Sequence, residues 1–63
     1  MNLSDETEEA TNLLKGKTVS SVKRFREKEV LIEFSDESRL FIDWKENGLE
    51  LSITENFEGE NKT

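Results

Sequence analysis

The segment from Val30 to Trp44, VLIEFSDESRLFIDW, constrains this chain more than any other. Val30, Ile32 and Phe34 alternate with more polar neighbours, and Leu40, Ile42 and Trp44 repeat the pattern after a polar break. Two runs of period two separated by a short polar stretch predict a β-hairpin with one buried face. Parity selects the loop. A two-residue loop at Asp36-Glu37 would set Val30, Ile32 and Phe34 opposite Asp43, Phe41 and Arg39, mixing charge into the apolar side. A three-residue loop, Ser35-Asp36-Glu37, pairs Phe34 with Ser38, Ile32 with Leu40 and Val30 with Ile42, and cross-strand partners share a face. It also sets Glu33 opposite Arg39, a favourable charge pair. The third loop position then needs the left-handed conformation, which glycine or asparagine adopts best, and Glu37 stands there. Glu37→Gly is therefore expected to be neutral or stabilising by up to about 1 kcal/mol in a thermal melt.

Asn47-Gly48 marks a second hairpin, expected as a two-residue loop with both residues at positive φ. That register pairs Lys45 with Glu50, Trp44 with Leu51 and Ile42 with Ile53. Its apolar set coincides with the set from the first hairpin, and the agreement of two independent turns predicts a meander. Upstream, Lys17 to Phe25 has strand composition, but Val19, Val22 and Phe25 are spaced by three. A bulge at Ser20-Ser21 would bring Val19 and Val22 to one side. Arg26 to Glu29 reads as a charged turn. Residues 1–16 read as a short helix capped by Ser4 or Asp5, with Asp5 and Glu8 at capping-box spacing and Gly16 as its stop. Its apolar stripe is thin: Ala10, Leu13 and Leu14. Residues 1–6 and 56–63 are expected to be flexible, with Phe57 the one apolar anchor of the tail.

The expected architecture is thus α+β: one domain over residues 1–63, a short N-terminal helix packed on a four-stranded antiparallel β-meander. Ala10, Leu13 and Leu14 can cover about half of such a sheet. The remainder requires the sheet to curl into a half-barrel over the helix, or a second molecule to supply a lid. Basic residues on the first strand have a plain role, since charged edges keep sheets from pairing with neighbours.

Composition removes several classes of function. The 63 residues include no cysteine and no histidine, which excludes disulfides, thiolate zinc sites, a cysteine nucleophile and histidine acid–base chemistry. The three glycines, Gly16, Gly48 and Gly59, are too far apart for a phosphate loop. Ser35 to Ser38 lacks the alternating acids and central glycine of a calcium loop. No apolar run approaches the roughly 20 residues of a membrane span, and a cytoplasmic protein is expected. No enzyme activity, cofactor or metal is expected.

The net charge of −6 is unevenly placed: residues 1–14 carry four acids and no base, residues 15–28 six bases against Glu27, and residues 29–63 ten acids against three bases. An acidic chain is a poor general nucleic-acid binder. The sequence therefore points to a protein–protein interaction module or homo-oligomer subunit, acting through a protein partner or self-association. The alternative is an acidic inhibitor or nucleic-acid mimic that occupies a basic site on a partner. On the polar side of the sheet Leu31 and Phe41 are expected as neighbours among Glu33, Arg39 and Asp43. Leu31, Phe41, Glu33 and Arg39 are the candidate partner contact; mutual shielding of Leu31 and Phe41 is the plain alternative.

Overall fold

The computed structural model describes residues 2–55. One helix, α1 (Leu3–Leu14), precedes four strands: β1 (Val19–Lys23), β2 (Glu29–Phe34), β3 (Arg39–Lys45) and β4 (Gly48–Thr54). The strands form one antiparallel sheet in chain order, and α1 packs on it. The sheet stays open rather than closing into a barrel.

Helix α1 is capped two to three residues earlier than expected. The Asn2 side chain, not Ser4 or Asp5, accepts the Asp5 N–H at 2.8 Å and satisfies one of the orphan donors of the first turn. Leu3–Glu6, expected as part of a flexible lead, form that first turn. Asp5 and Glu6 there agree with the helix dipole. Gly16, at φ 82°, ends the helix in the left-handed region, and the Lys17 N–H closes the turn on the Leu14 carbonyl at 3.1 Å. Residues 56–63, including Phe57, lie outside the described residues.

The β2–β3 hairpin has the register that parity selects, with Val30 opposite Ile42, Ile32 opposite Leu40 and Glu33 opposite Arg39. The Phe34 N–H donates to the Ser38 carbonyl at 2.9 Å, closing the three-residue loop, and Glu37 takes φ 74°. Between β1 and β2 the register slips between Val19 and Ser21, so Val19 faces Phe34 and Val22 faces Ile32. This is the bulge that places both valines on one side of the strand.

The β3–β4 register differs from the expected one by two residues. Lys45 pairs with Gly48, Trp44 with Leu49 and Ile42 with Leu51, leaving Glu46-Asn47 as the loop. Only Gly48 takes positive φ there, at 137°; Asn47 does not. The single unusual backbone conformation falls on the residue without a Cβ. A slip of two preserves every face because side chains alternate with period two. It changes the charge pairing, however: Lys45 reaches Glu50 only on the diagonal, at 3.5 Å, and Asp43 stands directly opposite Glu50.

The pairings define rungs across the sheet. On the helix side they run Val19–Phe34, then Val22–Ile32–Leu40–Ile53, then Val30–Ile42–Leu51, and finally Trp44–Leu49 beside Lys28. On the outer side they run Ser21–Glu33–Arg39–Thr54, Lys23–Leu31–Phe41–Ser52 and Glu29–Asp43–Glu50.

Candidate interaction surface

The helix-side rungs are unequally covered. Phe34, on the first rung, is 8% exposed, although its edge-strand partner Val19 is 53% exposed; on the last rung both partners are open, Leu49 at 67% and Trp44 at 48%. Val30, Ile42 and Leu51 between them are half-buried. Connectivity explains the gradient. α1 joins β1 through four residues, 15–18, so its C-terminal end is tethered beside the Val19–Phe34 rung. From there Ala10 and Leu13 approach Leu51 and Ile53, with Glu6 and Glu9 on the rim of the groove between α1 and β4. Phe25, in the β1–β2 connection, also lies at the uncovered end and is exposed, as is Val22 on the edge strand. Val19, Val22 and Trp44, expected on the buried side, thus share the core's face with Leu49 without being enclosed by it.

Among the described residues Lys28 is the cation seated on this surface: its Nζ lies 4.5 Å from the centre of the Trp44 ring, and the Trp44 main-chain N–H donates to the Lys28 carbonyl at 2.9 Å. The interaction orients the indole and keeps a charge at the water boundary. The surrounding turn is knit by the Arg24 guanidinium donating to the Glu27 carbonyl at 2.6 Å and by Arg26 lying 4.0 Å from Glu29. The basic segment is therefore largely occupied with its own chain.

The outer face brings together all four candidate contact residues. Leu31 and Phe41 are direct partners, and Glu33 and Arg39 form the adjoining rung. Leu31 is 7% exposed and Phe41 half-buried, so the pair is shielded by its neighbours and little of Leu31 is open to a partner. Glu33 is the hub of the face. Its Oε1 accepts from the Ser21 hydroxyl at 2.8 Å and lies 3.1 Å from Lys23 Nζ, while Arg39 Nε donates to its Oε2 at 3.1 Å. The Ser21 hydrogen bond, then Lys23 and Arg39, hold its carboxyl well below the ordinary range, at about 2. One carboxylate thereby ties three strands together.

A second knot lies at the β2–β3 turn. Lys17 pairs with Asp36, whose other carboxylate oxygen accepts the Ser38 N–H at 2.9 Å. Lys17 first, with the Ser38 main-chain N–H beside it, holds the Asp36 carboxyl far below its usual range. The Ser35 N–H donates to the Thr18 carbonyl at 2.8 Å, fastening the turn to the α1–β1 link. Ser38 is fully buried here, and its hydroxyl has no hydrogen-bond partner among the described residues.

At the far end of the outer face, Glu29, Asp43 and Glu50 form an acidic rung. Sequence reasoning missed it because the expected β3–β4 register set Lys45, not Asp43, against Glu50. Among the described residues no group of acids is arranged to hold a metal ion, and no helix is long and apolar enough to cross a membrane. Glu29, Glu33, Asp36 and Glu50 each lie beside a base of the same chain, so an acidic mimic would draw on fewer unengaged carboxylates than composition suggests. No family model matches the chain, and neither does any curated protein or solved structure.

Proposed function

We propose that this protein is a protein–protein interaction module or self-assembling subunit without catalytic activity, working through the uncovered end of the helix-side face. The observation that carries the reading is the exposure of Trp44 and Leu49, paired on the last helix-side rung, together with Phe25 in the β1–β2 connection at the same end of the sheet. Single exposed apolar residues are ordinary, but several gathered over one end of a half-covered sheet mark a contact surface. The chain is also small for its fold. Each large side chain shielded by a partner would add roughly 1.5–3 kcal/mol to a domain near the lower size limit for independent stability.

The test is a comparison of the native chain with the variant Phe25→Ser, which leaves β4 untouched. Chemical cross-linking in the native cell extract, followed by identification of the products, should give a discrete adduct for the native chain. The variant, at an unchanged melting temperature, should lose it. An identical adduct pattern for both chains would sink the proposal.

A further inference from the structure

The two edges of the sheet are not equally defended. β1 is five residues long, carries the Ser20-Ser21 bulge and ends on Lys23, three devices that discourage a further strand from adding. β4 has seven residues, GLELSIT, with no bulge, no proline and no lysine or arginine. Its backbone is the more available template.

The hydrogen-bond phase of the ladder shows which β4 groups face outward. Phe34 N–H to Ser38 and Trp44 N–H to Lys28 establish that Leu40, Ile42 and Trp44 direct their main-chain groups toward β2. Arg39, Phe41, Asp43 and Lys45 then aim at β4, where they meet Thr54, Ser52, Glu50 and Gly48. Leu49, Leu51 and Ile53 are left with N–H and C=O pointing away from the sheet. These three positions are symmetric about Leu51, which is also the centre of the strand.

We infer that β4 pairs antiparallel with β4 of a second copy across a two-fold axis at Leu51, making one continuous eight-stranded sheet. The inference rests on the interaction reading above and names its partner. In this register Leu51 meets the partner's Leu51, and Leu49 meets the partner's Ile53, so all three outward-facing residues form hydrogen-bonded pairs. Such an isologous contact closes on itself and leaves only the defended β1 edges exposed. Two observations favour a second copy over an unrelated strand. The most exposed apolar side chain of the sheet, Leu49, comes to lie beside the groove lined by Ala10, Leu13, Leu51 and Ile53. Glu50 faces the partner's Ser52, which avoids the Glu50–Glu50 opposition of the register one step away.

The experiment is sedimentation velocity of the full 63-residue chain from about 5 to 500 μM, a range that reports association by mass action. Three variants accompany it. Ser52→Lys places a base opposite the partner's Glu50 and should tighten the dimer roughly threefold to tenfold, while Ser52→Glu should weaken it by a similar factor. A synthetic chain with N-methyl-Leu51 keeps every side chain and every β3–β4 hydrogen bond but loses the central edge donor, and should remain monomeric. A native chain that is monomeric throughout overturns the pairing, and so does a dimer indifferent to N-methyl-Leu51 or shifted the same way by both charges. Either result leaves the Phe25 cross-linking test to decide the interaction reading by itself.

Discussion

The Phe34 end and the Trp44 end of the sheet are built from the same alternation and end up in opposite conditions. At the Phe34 end, α1, the link at residues 15–18 and the Ser35–Glu37 turn converge, and Phe34 and Ser38 are buried. Charges there are cross-linked, Lys17 to Asp36 and Glu33 to Lys23 and Arg39. At the Trp44 end no helix arrives, the apolar residues are exposed, and the outer rung sets three acids in a row. A hydrophobic pattern assigns a side chain to a face; whether that face is dry depends on what the chain has left to lay over it. Stability is concentrated at one end, and the opportunity for contact at the other.

The two ends differ most in what Phe34 contributes. Phe34→Ala removes the largest side chain of the covered end and should destabilise by about 3–5 kcal/mol, enough to unfold much of a domain this size at room temperature. Circular dichroism would show it, and a melting temperature within a few degrees of the native value would contradict the burial gradient. Ser38→Ala, a few residues away, should act in the opposite direction. It removes a buried hydroxyl without a partner and should raise stability by about 1–2 kcal/mol in a urea titration. A loss instead would mean that the hydroxyl is hydrogen-bonded in solution.

Acid sharpens the contrast between the two ends. Glu33 is held at about 2, below its ordinary 4.5. The unfolded chain therefore takes up a proton before the folded chain does. The contribution of Glu33 is complete above the unfolded value and is lost as pH falls through the interval toward 2. Glu33→Gln should lower the melting temperature at neutral pH and narrow the gap between melts at about pH 6 and pH 3. Equal gaps in both chains would show that the Glu33 cluster does not hold in water. The smallest effect belongs to the uncovered end: Leu49→Thr at dilute concentration should change stability by no more than about 0.5 kcal/mol, by the same melt that registers Phe34→Ala.

Much of the fold was legible in the residues. Alternation and parity yielded the α+β meander, the Ser35–Glu37 loop, the Val19/Val22 bulge and the stop at Gly16, because each follows from a local steric or periodic rule. Glu37 at φ 74° shows the parity rule overriding local turn preference, since a two- or four-residue loop would have buried charge. The β3–β4 loop was misplaced because Asn47-Gly48 fits two adjacent turns whose registers preserve the same faces. Nothing in the hydrophobic pattern distinguishes them. Leu31, Phe41, Glu33 and Arg39 were correctly brought together on one face, yet the burial of Leu31 depends on neighbours across two strand pairs.

From the sequence alone come the identity of the strands, the sharing of faces among their side chains, and the thinness of the helix stripe that must cover them. Those are consequences of backbone period and of the count of apolar groups. The tertiary structure decided which end of the apolar face stays open, which carboxylates are neutralised by neighbours and which sheet edge is left undefended. Each of these depends on where a short tether lands the helix and on a two-residue choice of register, and neither is encoded in the alternation itself.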